Sequence, residues 1–548
     1  MVTNTSDRDG SRPGGATPGT EFDVIIVGAG FAGLYMLHRA RELGLSARVF
    51  EAGGGVGGTW YWNRYPGARC DVESLQYSYQ FSDELQQEWH WTERYASQPE
   101  ILRYLEHVAD RFALRPDIQL DTRVEAAIFD EASGRWRVET SADTVTARFV
   151  VMATGCLSSA NIPEIEGRDE FAGATYHTGR WPHEGVDFTG QRVGVIGTGS
   201  SGIQCIPIIA EQAEHLYVFQ RTPSFSVPAR NAPLDPAVER EIKATYHEFR
   251  EAAAQTPFGI AAPISDKAAM VVSPEERERT YEEYWQTGGL GFMVAFADLL
   301  FSREANETAA EFMRRKIRAT VTDPAVADAL CPDTVVGCKR LCLDTAYFET
   351  FNRANVTLVD LNQAPIERIT ADGIRADGEE YRLDSVVFAT GFDAMTGALE
   401  RIDIRGVGGR ALRDKWAEGP RTYLGLATAG FPNLFTITGP GSPSVLSNMV
   451  PSIEQHVNWI ADCVAYMRDH GMERIEPTVE AEEAWGQRVN QIANMTLYTS
   501  CNSWYLGANI PGKPRVFMPY IGFPEYVATC RDVAANDYQG FTLARSQT

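Results

Sequence analysis

The sequence predicts an α/β protein with two dinucleotide-binding, Rossmann-like domains. Three observations carry that expectation. A glycine-rich turn, Gly28-Ala29-Gly30-Phe31-Ala32-Gly33, follows a β-branched apolar run and opens a helical pattern. A second turn of the same form, Gly197-Thr198-Gly199-Ser200-Ser201-Gly202, repeats the arrangement. Two apolar runs end in Ala-Thr-Gly, at Ala153 to Gly155 and at Ala389 to Gly391. One G-x-G-x-x-G is a weak signal, because glycine is common and the pattern is short. Two of them in strand–turn–helix context indicate two dinucleotides held side by side, and hence electron transfer between them.

In the first unit, Asp23 to Val27 reads as a buried parallel strand. Leu34, Leu37, Ala40 and Leu43 follow at roughly helical spacing, and Gly44 is a stop. The next strand, Ala47 to Phe50, ends at Glu51, 18 residues past Gly33. A carboxylate there can accept hydrogen bonds from ribose hydroxyls, while the glycines let the backbone and a helix N-terminus approach the pyrophosphate. Further strands are expected at Ile118 to Val124 and Trp136 to Thr140, and a buried one from Phe149 to Met152.

The second unit has the strand Val193 to Ile196, the helix Ile203 to Ala213 and the strand His215 to Phe219. It ends at Gln220-Arg221-Thr222, with arginine where the first unit has an acid. A carboxylate would repel a 2′-phosphate, whereas a guanidinium binds it through a charge-assisted pair. The first unit therefore suits FAD or NAD, and the second suits NADP(H).

With 548 residues the chain is too long for one core. Residues 1–20 read as a disordered tail, and residues 21–158 as the first part of the FAD-binding domain. Residues 159–392 read as an inserted NADP-binding domain, and 393–548 as the return to the FAD domain. Segments 233–254, 274–287 and 306–320 are charged and amphipathic, so 228–335 is expected to be a helical insertion. The net charge of −23 opposes nucleic-acid binding. No signal-peptide core and no stretch of ~18 apolar residues is present, so a cytoplasmic monomer without membrane contact is expected. The nine cysteines are scattered with no C-x-x-C, and neither a zinc site nor a disulfide framework is expected.

Flavin-linked disulfide reductases need a cysteine pair soon after the first turn. Only Cys70 stands there, which excludes that class. Two longer patterns narrow the rest. Phe171, Gly173, His177, Trp181 and Pro182 form F-x-G-x-x-x-H-x-x-x-W-P, and Gly58-Thr59-Trp60 is followed by Tyr65-Pro66-Gly67 and Asp71. Both resemble signatures of the type I Baeyer–Villiger monooxygenases, and the resemblance runs from about residue 22 to 543.

That resemblance implies an enzyme that uses FAD, NADPH and O₂ to convert ketones to esters or lactones. NADPH reduces the flavin, O₂ adds at C4a, and the peroxide attacks the carbonyl. A fixed positive charge beside the oxygen suits this chemistry, and arginine supplies it because it stays protonated. The matching residue is Arg340 in Cys338-Lys339-Arg340-Leu341, with Asp71 to orient it and Lys339 to join Arg221 at the 2′-phosphate. On composition alone, a Lys-Arg pair is an ordinary solvated feature. Arg69 and Cys70 are placed near the nicotinamide, and Trp60, Tyr77, Val124 and Met449 near the flavin. Trp504 is placed on a mobile loop that contacts NADP and excludes water. Ser444, Val445 and Leu446 are placed in the ketone pocket, and His177 is a tie in the linker. Cys156, Val445 and the segment Tyr520 to Pro524, which has a proline and one glycine fewer, depart from the family pattern. An N- or S-oxygenating flavin monooxygenase, and an NADPH oxidase or silent flavin-binding protein, are the alternatives.

Overall fold

A computed structural model describes residues 20–545. Its larger sheet starts from the strand Glu21–Val27, whose central Val24, Ile25 and Ile26 are fully buried. That strand pairs in parallel with Ala47–Phe50 on one side and with Thr144–Met152 on the other. Beyond Ala47–Phe50 lies the short strand Ile118–Gln119. Beyond Thr144–Met152 the sheet turns antiparallel through Arg135–Thr140 and Val124–Asp130, then ends at Asp403–Arg405. Leu434–Thr436 also pairs with Thr144–Met152. The sheet thus draws strands from both ends of the described chain.

The second sheet has five parallel strands in the order Val356–Asp360, His215–Gln220, Arg192–Ile196, Ser385–Phe388 and Ala174–His177. Its central strands Arg192–Ile196 and Ser385–Phe388 are buried on both faces, as an all-parallel sheet requires, while the edge strands Ala174–His177 and Val356–Asp360 are more open. Between His215–Gln220 and Val356–Asp360 the chain runs through the helices Pro236–Ala244, Tyr246–Ala254, Pro274–Thr287, Arg303–Thr320 and Pro324–Leu330.

Several expectations are corrected. Ile118 to Val124 is not one strand, because Asp121 has a positive φ of 50° and gives its N–H to Gly53. Pairing therefore stops at Gln119 and resumes at Val124. Segment 233–254 is helical as expected and holds two helices, since Thr245 leaves helical geometry at φ −128°, ψ 36°. Cys338 and Cys501 form a disulfide although they lie 163 positions apart, so spacing could not reveal it. The expected tail lies outside the described residues except for Thr20, whose carbonyl accepts from Thr146 N–H and extends the strand pairing. No helix among the described residues is long and apolar enough to cross a membrane.

Candidate functional site

Each glycine turn links a buried strand to a helix N-terminus. Gly28 has φ +105°, and a Cβ there would stand 2.6 Å from the carbonyl oxygen of Ala153. Gly197 occupies the same position in the second unit, with φ +109° and Ala389 as the crowding carbonyl at 2.5 Å. Both Ala-Thr-Gly segments therefore serve one purpose: they press against the first glycine of a turn. Gly30 precedes the helix Phe31–Glu42 and touches the backbone of Gly58; Gly33 packs on the Gly28 carbonyl.

Glu51 is buried at the end of its strand. Its two carboxylate oxygens accept from Ala29 N–H at 2.7 Å and Gly53 N–H at 2.8 Å. Burial raises its pKa, and these N–H groups oppose that shift. The acid is thereby clamped against the turn. Trp60 donates from Nε1 to the Tyr77 hydroxyl at 3.2 Å, and both rings lie near Phe31 or each other. Val124 is buried beside Ile25, Val27 and Phe50.

In the second unit a Cβ on Gly199 would enter open space at the N-terminus of the helix Ser200–Gln212. Thr198 Oγ1 donates to the Thr222 carbonyl at 3.1 Å, and Ser200 Oγ meets Cys342 Sγ at 3.3 Å. Gly202 packs on the Gly197 carbonyl, and Ser201 lies in the first helical turn. Arg221 is exposed, and its charge lies close enough to Lys339 to help lower the lysine pKa, after burial as the larger cause, while Asp333 opposes the shift. Among the described residues neither cation has an ion-pair partner. Two unpaired cations held together are costly unless an anion joins them.

The two units meet through the segment between Tyr65 and Asp71. Tyr65 donates its hydroxyl to Gln204 Oε1 at 2.7 Å, and Gln204 Nε2 donates to the Arg69 carbonyl at 3.1 Å. Gly67 has φ +82°, and a Cβ there would lie 2.4 Å from the Gln204 carbonyl oxygen. Arg69 donates through one terminal nitrogen to Glu93 and to the Tyr95 carbonyl, at 2.7 and 2.8 Å. Cys70 is buried, and burial pushes its thiol pKa up.

Arg340 stands at this junction. It donates from Nε and a terminal nitrogen to the two oxygens of Asp71, at 2.6 and 2.9 Å. Its other terminal nitrogen donates to the Val445 carbonyl at 2.7 Å. Burial alone would lower the Arg340 pKa, but Asp71 overrides it and the net shift is well upward. The Tyr505 hydroxyl faces the same guanidinium. The arginine thus gathers residues from three distant parts of the chain. Three of its five N–H bonds are used on Asp71 and the Val445 carbonyl, and Tyr505 shares the remainder with any ligand.

Ser444 is buried, at a positive φ of 43°, and donates to Met395 Sδ at 3.5 Å. Ser444, Val445 and Leu446 form one helical turn, followed by Met449 at the start of the helix Met449–Asp469. Cys156 meets Ser444 from the first unit. Trp504 is half-buried and packs on Tyr505 with ring centres 4.3 Å apart. Gly522 has φ +104° and Pro524 occupies the first turn of the helix Phe523–Ala535, so the unusual proline serves as a helix start.

In the linker, Phe171 packs against Gly173, and Trp181 stacks near Tyr176 and Phe188 with Pro182 following. His177 is buried; its Nδ1 accepts from Gly179 N–H at 2.9 Å, and its Nε2 lies 3.3 Å from the Asn161 carbonyl. Burial lowers its pKa to about 4. Reading the sequence did not single out Tyr505, Gln204 or the Val445 carbonyl. Adjacency to Trp504 is the only signal that pointed toward Tyr505.

A family model described as pyridine nucleotide-disulphide oxidoreductase matches residues 25–284. A Baeyer–Villiger monooxygenase from Pseudooceanicola batsensis is 46% identical over 97% of this chain and 98% of its own length. The chain belongs to the Baeyer–Villiger monooxygenase family. A phenazine N-monooxygenase from Lysobacter antibioticus is 44% identical over 96% of this chain and 97% of its own. A solved steroid monooxygenase bound to NADP is 55% identical, with a TM-score of 0.92 over 96% of this chain and 100% of its own. FAD and NADP both occur in solved structures of such Baeyer–Villiger neighbours. The present residues fit both groups. The clamped Glu51 and the Gly28–Gly30–Gly58 cradle suit FAD. The open space at Gly199 and the unpaired Arg221–Lys339 cations suit NADPH.

Proposed function

We propose that Arg340, oriented by Asp71, is the catalytic residue with which this flavin-dependent Baeyer–Villiger monooxygenase converts a ketone to an ester or lactone. The two-point Asp71–Arg340 pair at the junction of the two nucleotide units carries the proposal. FAD and NADPH, when bound, supply the redox and oxygen-transfer chemistry. Glu51 and the first glycine turn hold the ribose and pyrophosphate of FAD, with Val124 beside Phe50 on the same side; Trp60, Tyr77 and Met449 surround its ring system. Gly197 to Gly202 take the NADPH phosphates, and Arg221, Thr222 and Lys339 take the 2′-phosphate. Arg69, Cys70 and Trp504 border the nicotinamide.

Arg340 keeps a permanent positive charge in a half-enclosed site, where negative charge on oxygen is stabilised far more than in water. Asp71 and the Val445 carbonyl fix the plane of the guanidinium, so its charge is placed without reorganisation. Ser444, Val445 and Leu446 shape the ketone pocket. Low solvent access around Tyr505 and Val445 limits hydrolytic side reactions. Residues 21–158 and 393–548 serve as the FAD domain and 159–392 as the NADP domain. We read the enzyme as monomeric and cytoplasmic, and its net charge of −23 opposes a nucleic-acid partner.

The test is turnover of the holoenzyme with NADPH and ¹⁸O₂ against aryl-alkyl, linear, cyclic and steroidal ketones, with a phenazine alongside. Ester or lactone carrying one labelled oxygen supports the reading. Unlabelled organic material with all oxygen recovered as H₂O₂ overturns it, and label found only in an N-oxide gives the acceptor as nitrogen.

A further inference from the structure

Cys338 and Cys501 are joined by a disulfide with Cα atoms 6.0 Å apart. The other seven cysteines are free thiols. The bridge is placed at the most consequential point of the molecule. Cys338 immediately precedes Lys339 and Arg340, and Cys501 lies three residues before Trp504 and four before Tyr505. One end is therefore fixed to the cations of the proposed site, and the other to the loop that faces them. Cys338 is fully buried, whereas Cys501 is partly exposed. Of the two ends of the bridge, the Cys501 side is therefore the one open to a small thiol.

The loop is seated at its ends by the buried Tyr505, Phe517, Met518 and Tyr520, whereas Asn509 to Val516 is partly or fully exposed and has polar anchors. Leu497 N–H donates to the Leu300 carbonyl at 2.8 Å, Asn509 donates to the Phe392 carbonyl at 2.7 Å, and Lys513 pairs with Asp393. Met518 N–H returns to the Tyr505 carbonyl at 3.0 Å. From Cys501 to Gly522 the only regular structure is the short turn Trp504–Leu506. With so few backbone ladders and a middle part outside the core, this segment opens at lower cost than the sheets around it, and a covalent bond raises that cost.

We propose that Cys338–Cys501 is a reversible thiol–disulfide site that tethers the Trp504–Tyr505 loop over Arg340, so that its reduction uncouples NADPH consumption from product formation. Reduction is a two-electron exchange. A thiolate attacks the Cys501 sulfur, the S–S bond breaks, and Cys338 leaves as a thiolate that takes a proton. A second thiol then releases Cys501, so that two R–SH become R–S–S–R and the protein gains two thiols. A hydroperoxide reverses it: two thiols and H₂O₂ give the disulfide and two waters. H₂O₂ is also the product released when the oxygenase misfires, which makes the tether responsive to the enzyme's own failure.

The proposal rests on the reaction above only for its readout, and thiol counting is independent of turnover. Oxidised holoenzyme, denatured in a thiol-reactive dye without reductant, is expected to show seven free thiols, and nine after dithiothreitol. Nine before reduction overturns the proposal. With a ketone that the oxidised enzyme converts, reduction is expected to raise H₂O₂ released per NADPH on the order of fivefold. Cys501→Ser should show the same high ratio and no response to thiol, while Cys331→Ser should keep the full response. An equal ratio in oxidised and reduced enzyme, with only a change in melting temperature, leaves a structural staple and defeats the switch. If the oxidised enzyme makes no ester or lactone from any ketone, the proposed reaction fails while the thiol count still stands.

Discussion

At the residue scale the molecule turns on one guanidinium. Arg340 spends two donors on Asp71 and one on a backbone carbonyl, and its charge cannot be lost near neutral pH. Arg340→Ala is expected to cut ester formation at least 100-fold, about 3 kcal/mol of transition-state stabilisation, while NADPH oxidation continues. Normal ester yield from that variant would remove Arg340 from the mechanism. Arg221→Ala should raise KM for NADPH about tenfold and leave NADH nearly unaffected, because only the former has a 2′-phosphate to pair. Equal losses with both nucleotides would contradict the phosphate role. These roles were only partly legible beforehand. Glu51 and Arg221 follow from their offsets past a glycine turn. Arg340 sits in a Lys-Arg pair that is indistinguishable by composition from surface charge, and its partners are 269 and 105 positions away.

At the element scale, the helix Ser200–Gln212 is pressed onto the Tyr65-to-Asp71 segment by contacts that only glycine permits at position 67. Gly67→Ala combines a positive φ with a 2.4 Å clash on a carbonyl. It should destabilise by about 1–3 kcal/mol in denaturant titration and lower activity, since the gap between the two turns must widen. Wild-type stability in that variant would mean the contact is not tight in solution. The helix Met449–Asp469 carries a buried Glu454 that accepts from Gln80 and Phe81 N–H at 2.7 and 3.0 Å. Burial raises its pKa to about 7. The unfolded carboxyl titrates near 4.5, so the stability that its neutral form contributes is present below that pH and lost as pH rises through 7. Glu454→Gln does not titrate. Its unfolding free energy should therefore gain on wild type between pH 4.5 and 7, then run parallel; parallel curves throughout would show Glu454 already ionised.

At the scale of the whole molecule, the chain leaves the first sheet after Thr144–Met152, builds the second, and comes back at Asp403–Arg405. His177 lies where outgoing and returning segments touch: Nε2 faces the Asn161 carbonyl and lies 3.4 Å from Thr390 Oγ1. Its pKa of about 4 lies below the unfolded 6.5, so the unfolded chain binds the extra proton. The stability it contributes is complete above pH 6.5 and is lost as pH falls to 4. His177→Gln should flatten that stretch of the stability curve by up to about 1.4 kcal/mol per pH unit. An unchanged slope would show that the imidazole is solvated.

By itself, the sequence determined the two nucleotide units and the family signatures, because each is written in spacings shorter than about 30 residues that local geometry reads directly. Strand ends and helix breaks escaped it, since a single residue such as Asp121 or Thr245 leaving its basin is set by neighbours that only folding supplies. The tertiary structure alone decided that Asp71, Arg340, Val445 and Tyr505 converge, and that Cys338 bonds Cys501. Contacts between distant positions form only when two sheets are docked. No local propensity encodes which of fifty cations will end beside which carboxylate.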